Sequence, residues 1–217
     1  MLRSAQHDRY GYFPVQSIFE MGSKMKNVII LGASGNIAKH VIDLLVKKDD
    51  IHLTLFLRNK TRLRNDDISK CRIVEGNVLD FDQLKEAITG QDVVYANLAG
   101  DLEAMAINIV KAMDEKEVKK LIFISSIGIY DVPLKSVLKL YRKAADVIEA
   151  SDLDYTILRP TWFTNSDEVD YETTRKGEPE KGLEISQKSL ATLITKIIEL
   201  PEHYIRENLG VNKPNSR

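Results

Sequence analysis

Cysteine is almost missing from this chain of 217 residues, which holds a single one, Cys71. One cysteine excludes an intramolecular disulfide and a multi-cysteine metal site, and it fits a reducing compartment, so we expect a cytoplasmic protein. An excess of positive charge is also missing, because the formal net charge is -1. A near-neutral chain lacks the basic surface that nucleic acid requires, so we expect no nucleic-acid partner.

Metal-ligand clusters and long apolar runs are missing too. The four histidines are scattered, and none stands at ligand spacing from paired carboxylates, so we expect no protein-bound metal. No apolar stretch approaches the ~20 residues that a membrane-spanning helix needs, so we expect no membrane partner. What the chain does have is 43% hydrophobic residues, enough to bury one substantial core in a single domain.

The first 24 residues differ from the rest, because they contain no continuous apolar segment. They are therefore not typical of a secretory signal. We expect a poorly ordered N-terminal extension over 1–24, and an arm that packs on a partner subunit is the alternative. The folded domain is predicted over 25–217, with a small substrate-side segment towards its C-terminal end.

Apolar runs alternate with helix-patterned segments from Lys26 onward. The runs predict strands over 26–31, 51–58, 71–78, 92–98, 119–127, 154–160 and 207–212. Helices are predicted near 37–47, 80–88, 102–116, 139–151 and 186–200, with Asp80 and Ser186 as N-caps. This alternation predicts an α/β fold, a three-layer doubly wound parallel sheet of the Rossmann type. The polar stretch 167–182 is predicted to be a long excursion that covers the substrate.

The turn after the first strand carries the pattern G-x-x-G-x-x-A at Gly32, Gly35 and Ala38. Gly32 allows a sharp turn, Gly35 lets a pyrophosphate approach the backbone, and Ala38 lets the helix pack close to the sheet. The start of the helix then offers free N–H groups to phosphates, to which Ser34 and Asn36 add side-chain donors. The alternative is a tight strand-to-helix turn that binds no ligand.

The end of the second strand indicates which dinucleotide binds. An acidic residue there would hydrogen-bond the ribose 2′-OH of NAD, but this chain has Arg58, Asn59 and Lys60, with Arg62 nearby. Arg58 is placed to grip a 2′-phosphate through charge-assisted hydrogen bonds. The sequence therefore predicts NADP(H) in preference to NAD(H), and a solvated basic loop is the alternative.

Five strand-end motifs, ILGASGNIA, EGNVLD, VVYANLAG, FISSIGIY and YTILRPTWF, together resemble the atypical short-chain dehydrogenases. Within that group the chain is most similar to the small NmrA-like NAD(P)H-binding proteins. The resemblance implies that EGNVLD edges the adenine, that ANLAG lines the cofactor and that RPT lies near the nicotinamide. With the glycine-rich turn, the predicted cofactor-binding residues are Gly32, Ala33, Ser34, Gly35, Asn36, Ile37, Arg58, Asn59, Asn77, Val78, Asn97, Leu98, Ala99, Ser125, Pro160 and Thr161.

The catalytic pattern of that superfamily is broken here. Its reductases carry Tyr-x-x-x-Lys on one helix face, where the lysine lowers the phenol pKa. Tyr141 is followed four residues later by Ala145, and Lys143 lies on another face of the helix. The resemblance still matches Ser126 to the active-site serine, so Ser126 and Tyr141 are the predicted catalytic residues, with Trp162 as a candidate to stack on a planar acceptor.

Two functions remain open at this stage. One is an oxidoreductase that transfers hydride from NADP(H) to a small planar acceptor, flavin- or quinone-like, which takes its proton from solvent. The similarity to small flavin and biliverdin reductases of the same group supports this interpretation. The other is a non-catalytic NADP(H) redox sensor that reports to a partner, as NmrA-like regulators do.

Overall fold

The structure is a computed structural model that describes residues 25–216, so the predicted extension over 1–24 lies outside the described residues. Ten strands and five helices are found in this part of the chain. The strands are β1 (Lys26–Leu31), β2 (Ile51–Leu57), β3 (Arg72–Glu75), β4 (Val93–Ala96), β5 (Lys120–Ile124), β6 (Asp154–Pro160), β7 (Trp162–Thr164), β8 (Glu172–Arg175), β9 (Glu184–Ser186) and β10 (Glu207–Asn212). The helices are α1 (Asn36–Leu45), α2 (Phe81–Ile88), α3 (Leu102–Glu115), α4 (Lys139–Glu149) and α5 (Gln187–Glu199).

Eight of the strands form one sheet in the order β3-β2-β1-β4-β5-β6-β10-β8. Every neighbouring pair is parallel except β10 with β8, which is antiparallel. The central strands are continuously apolar because helices cover both faces of the sheet, as the full burial of Val28 to Leu31 illustrates. This topology confirms the predicted α/β fold of the Rossmann type in a single domain.

Two apolar layers enclose the sheet. On one face α1 and α5 pack side by side, with Ile42 and Ile194 in a common core with the strands. On the other face α2, α3 and α4 contribute Leu84, Ile109 and Ile148. The carboxyl ends of the parallel strands therefore meet at one open edge, where such sheets bind ligands.

Both predicted helix caps are present. The Asp80 carboxylate accepts the N–H of Gln83 at 3.1 Å at the start of α2. The Ser186 hydroxyl accepts the N–H of Ser189 at 2.9 Å at the start of α5. Each bond satisfies a donor that the first helical turn cannot pair internally, which explains why the two helices begin there.

The main difference from the sequence prediction lies between β6 and α5. The predicted excursion over 167–182 contains one short strand, β8, and two more short strands, β7 and β9, flank it. β7 and β9 pair in parallel as a separate two-stranded sheet, and β8 adds to the edge of the main sheet beside β10. Segments of three or four residues are too short for a two-residue hydrophobic period to be recognised. Among residues 25–216, no helix combines the length and apolarity needed to cross a membrane.

A buried lysine lies at the amino ends of the parallel strands, opposite the end where such sheets bind ligands. Lys120 begins β5 and is 5% exposed. Its Nζ donates to the Thr156 hydroxyl at 3.0 Å and to the carbonyl of His203 at 3.2 Å. Burial disfavours the charged form and lowers the pKa of the Lys120 ammonium to about 8.

Candidate cofactor site

The turn between β1 and α1 is shaped by close approach to the end of β4. Gly32 adopts a φ of +82°, in the region that favours glycine, and its N–H donates to the carbonyl of Phe56 at 2.9 Å. A Cβ at Gly32 would overlap the backbone carbonyl oxygen of Asn97. Only glycine therefore lets β1 turn into α1 at this point without displacing the backbone after β4.

Gly35 is the N-cap of α1 and has ordinary extended dihedrals, with φ −73° and ψ 153°. The first helical bond runs from the Lys39 N–H to the Gly35 carbonyl at 2.9 Å, which leaves the N–H groups of Asn36 and Ile37 without intrahelical acceptors. A glycine at the cap has no side chain to engage them. These amides, at the positive end of the helix dipole, form a cradle suited to an anion.

A groove of about 210 Å³ opens beside this helix start and runs across the carboxyl ends of β1, β2 and β4. It brings together ten of the predicted cofactor-binding residues and leaves the space above the glycine turn open. The lining residues are Gly32, Ser34, Gly35, Phe56, Leu57, Arg58, Asn59, Arg62, Gly76, Asn77, Val78, Asn97, Leu98, Ala99 and Met105.

Positive charge is concentrated at the β2 end of this groove. Asn59 accepts the N–H and the hydroxyl of Thr61 at 2.9 and 2.7 Å, which fixes the turn after Arg58. The backbone N–H of Lys60 donates to Glu75, whose carboxylate also lies 4.0 Å from the Lys60 ammonium. Arg58 and Arg62 form no ion pair with any residue between 25 and 216, so both guanidinium groups are free to bind an anion in the groove.

The turn after β3 forms the opposite wall of the groove. A Cβ at Gly76 would lie 2.6 Å from the Phe56 ring, so the backbone packs directly on that aromatic side chain. The Asn77 side-chain oxygen accepts the N–H of Leu79 at 3.1 Å, and the Asn77 N–H donates to Gln83 at 3.1 Å. The side-chain NH₂ of Asn77 therefore remains as the donor available at the predicted adenine edge.

A second open space, of about 360 Å³, adjoins the first on the far side of the α1 start. The two spaces share four lining residues, which are Gly35, Asn97, Leu98 and Ala99. Asn36 and Ile37 line the second space, and Phe163 of β7 and Gln187 of α5 close its other side. An elongated molecule that crosses the helix start would therefore have one end in each space.

Phe163 and Gln187 are site residues that the sequence prediction missed. Phe163 directly follows the predicted stacking residue Trp162, but their side chains differ in surroundings. Trp162 is 79% exposed and lines neither space, whereas Phe163 is 47% exposed and forms the wall of the second. Because adjacent residues of a strand face opposite sides, the motif RPTWF could indicate an aromatic wall but not which ring provides it.

The predicted residues at the ends of β5 and β6 lie behind the two spaces. Ser125 and Thr161 are 4% and 5% exposed, and the Ser125 N–H donates to the carbonyl of Leu158 at 2.8 Å. The Pro160 carbonyl accepts the N–H of Ile127 at 3.1 Å. These residues join the ends of β5 and β6, and none of them lines the groove or the second space. Ala33, which is 1% exposed, is likewise buried beneath the turn.

The two predicted catalytic residues, Ser126 and Tyr141, lie in different surroundings. Ser126 is half-buried, and its hydroxyl donates to the carbonyl of Ile127 at 3.2 Å. Tyr141 packs partly buried against the core beneath α3 and α4. The ammonium of Lys143 donates to Glu103 of α3 at 2.7 Å. The position one helical turn after Tyr141 is the fully buried Ala145.

The sheet order, the glycine turn and the helix start together define a dinucleotide-binding protein of the Rossmann class. Comparison with known proteins agrees with this class. The family model described as NAD(P)H-binding matches residues 32–201, and the chain belongs to that family.

Solved structures show the same architecture. A Rossmann-fold NAD(P)-binding family protein from Shigella flexneri is 49% identical, with a TM-score of 0.83 over 88% of this chain and 95% of that one. A short-chain dehydrogenase/reductase from Veillonella parvula, solved in complex with NADP, is 29% identical, with a TM-score of 0.81 over 88% of this chain and 96% of that one.

Among curated proteins, an isoflavone reductase homolog A622-like from Nicotiana tabacum is 26% identical over 208 residues. That match covers 82% of this chain and 66% of the tobacco protein, so the chain spans just under two thirds of its relative's length.

Proposed function

We propose that this protein binds NADP(H) across the two adjoining spaces and transfers hydride to a small planar acceptor. The observation that carries the proposal is that the two spaces join at the start of α1. Arg58 and Arg62, which form no ion pair within residues 25–216, lie at one end, and the Phe163 ring forms the wall at the other. That arrangement matches the order of phosphate, ribose and ring groups in a dinucleotide.

The residues present fit such a cofactor. A Cβ at Gly35 would overlap the Asn97 amide that lines both spaces, so only glycine leaves this corner uncrowded, and the amides of Asn36 and Ile37 would bind the pyrophosphate. Arg58 and Arg62 would hold the 2′-phosphate that distinguishes NADP from NAD. When bound, the nicotinamide supplies the hydride, and the chain positions the acceptor and excludes water. The neighbour from Veillonella parvula, which binds NADP, supports this preference.

The acceptor class follows from what surrounds the second space. Phe163 offers a flat apolar face, which favours a planar conjugated molecule over a small flexible carbonyl compound. Lys143 is paired with Glu103 and gives Tyr141 no help in donating a proton. A flavin- or quinone-like acceptor can take its proton from solvent, so its reduction does not require the tyrosine–lysine relay.

A second candidate function is a redox sensor that binds NADP(H) without turnover. The observation that favours it is the resting state of Ser126, whose hydroxyl is occupied by a backbone carbonyl. In that case the second space would receive the nicotinamide alone, and a partner would respond to its oxidation state.

One experiment separates the two functions. The protein is mixed with NADPH and, in turn, with a flavin, a quinone and a tetrapyrrole, and absorbance of the reduced nicotinamide is followed. Loss of that absorbance above the protein-free rate supports the oxidoreductase. Calorimetric binding of NADPH with no turnover supports the sensor. The absence of heat with either NADPH or NADH contradicts both proposals.

A further inference from the structure

The segment 165–183, between β7 and β9, begins and ends beside the second space. At its base the Gln187 side chain donates to the Asn165 side-chain oxygen at 2.8 Å. Phe163 and Gln187, which flank this base, both line the second space. The position of the segment therefore bears directly on the shape of the proposed acceptor site.

Contacts with α5 and with β10 hold the first part of the segment. The carbonyl of Glu168 accepts the hydroxyls of Ser186 and Ser189 at 2.8 and 3.1 Å, which fixes the segment to the α5 start. Farther along, β8 pairs with β10 at the edge of the main sheet. The part after β8, residues 176–183, leaves the sheet and passes back towards β9.

Glu180 provides the side-chain contact that fastens this last part to the ligand-binding edge. One carboxylate oxygen accepts from Arg159 Nε at 2.8 Å, and the other accepts the N–H of Gly128 at 3.0 Å. Gly128 lies two residues after Ser126, and Arg159 immediately precedes Pro160. One side chain thus joins the segment to the loop after β5 and to the end of β6.

The Arg159 side of this contact is fixed independently of Glu180. Arg159 is 1% exposed, its guanidinium donates to the Asn208 side chain, and it lies 5.3 Å from the centroid of the Tyr130 ring. The Asn208 side chain donates in turn to the Tyr130 hydroxyl at 2.7 Å and to Glu149 at 2.9 Å. The arginine is therefore a preformed anchor, and Glu180, with its side chain 22% exposed, is the partner on the surface segment.

We propose that Glu180 is a positioning residue that holds the 165–183 segment closed against the turn carrying Ser126 and so shapes the acceptor site. The effect on the acceptor rests on the proposed function, whereas the effect on the segment does not. Because Glu180 touches neither of the two spaces, removing its charge should leave cofactor binding intact and loosen only the acceptor side.

Native-state proteolysis tests the structural part. The exposed Arg175, Lys176 and Lys181 place trypsin sites within the segment. We expect Glu180→Gln to speed cleavage at these sites about tenfold, equivalent to about 1.4 kcal/mol of local opening, near the lower end for a charge-assisted hydrogen bond. The matched control is Glu178→Gln, whose carboxylate, among residues 25–216, accepts a hydrogen bond only from the nearby Arg175 N–H, at 3.1 Å.

The same pair of variants tests the functional part. With whichever acceptor turns over, Glu180→Gln should raise KM about fivefold or more while kcat and the Kd for NADPH stay within about twofold. Glu180→Asp, which retains the carboxylate, should recover part of the loss. A merely structural role would instead change kcat, KM and thermal stability together.

The outcomes are distinguishable. If both variants are cleaved at the same rate, or if cleavage in Glu180→Gln is spread over the whole chain, the inference is wrong even where NADPH binding and turnover stand. If cleavage is confined to the segment and is faster only in Glu180→Gln, the inference holds for the segment. It then holds even if no acceptor is reduced, because the lack of reduction contradicts only the oxidoreductase proposal. Unchanged KM in a Glu180→Gln protein that is cleaved faster refutes the link to the acceptor.

Discussion

Gly35→Ala separates the fold from cofactor binding. The Gly35 dihedrals are accessible to alanine, and the atom that its Cβ would overlap is the terminal amide of Asn97, which can rotate away. The cost of alanine at an N-cap and the loss of glycine freedom in the unfolded chain oppose each other, so the free energy of unfolding should change by less than about 1 kcal/mol.

The effect on NADPH should be much larger. A Cβ at Gly35 lies beside the helix start and displaces the Asn97 amide, which lines both spaces, so the pyrophosphate is crowded away from the N–H groups of Asn36 and Ile37. Loss of these charge-assisted bonds should cost about 2–4 kcal/mol, which weakens the Kd by about 30- to 700-fold.

Calorimetry measures the Kd directly, and thermal unfolding provides an independent readout. NADPH at a hundred times its wild-type Kd should raise the stability of the wild-type protein by about 2.7 kcal/mol, or the Tm by about 5–10 °C. The same concentration should raise the stability of Gly35→Ala by less than about 0.9 kcal/mol.

Gly32→Ala is the matched comparison, because its φ of +82° and its overlap with the Asn97 backbone should destabilise the fold itself by about 2 kcal/mol or more. The reasoning is refuted if Gly35→Ala folds normally and binds NADPH within about threefold of wild type.

Three further predictions concern other parts of the molecule. Arg58→Ala should weaken NADPH binding about 10- to 140-fold and leave NADH binding unchanged. The control is Lys60→Ala, which should leave the binding of both cofactors unchanged because Lys60 lies beside Glu75. Equal losses of affinity for NADPH and NADH in Arg58→Ala, measured by calorimetry, would contradict the role of Arg58. In steady-state kinetics, Phe163→Ala should raise the KM for a planar acceptor severalfold, and Trp162→Ala should leave it unchanged. The opposite result would identify Trp162 as the stacking residue. Because the pKa of Lys120 is lowered from its ordinary value of 10.5 to about 8, the unfolded chain binds more protons than the folded protein between these two pH values. The free energy of unfolding of the wild type should therefore rise relative to that of Lys120→Met as the pH increases through this range. Denaturant titrations that show a constant difference between the two proteins would exclude the shift.

The parts of the fold that the sequence predicts best are the longest buried strands. β1, β6 and β10 begin and end at the predicted residues, because buried strands of six or seven residues bounded by turns leave little ambiguity. The prediction for β3 runs over 71–78, but the strand ends at Glu75, after which the Gly76 N–H makes a last bond to the Leu57 carbonyl of β2. A sequence pattern does not reveal that backbone bond.

The candidate site divides in the same way. The proposed adenosine side comes from contiguous motifs after β1, β2 and β3, and ten of its predicted residues line one groove. The acceptor side depends on Phe163 and Gln187, which lie 24 positions apart and meet only because β7 pairs with β9. Glu180 lies in a polar stretch with no periodicity, and its contact with Arg159 spans 21 positions. Such tertiary contacts leave no local signature for sequence reasoning to find.

The position of β10 between β6 and β8 has a consequence for how the molecule is assembled. All the residues that line the groove lie between 32 and 105, so that half of the candidate site precedes β10 in the chain. β8 lies at the edge of the main sheet, where it pairs with β10, so it has no neighbour there until residues 207–212 are in place. Asn208 of β10 also accepts a hydrogen bond from Arg159. The residues proposed to recognise the nucleotide are therefore contiguous in the chain, whereas the opposite half of the site is completed only by the last strand.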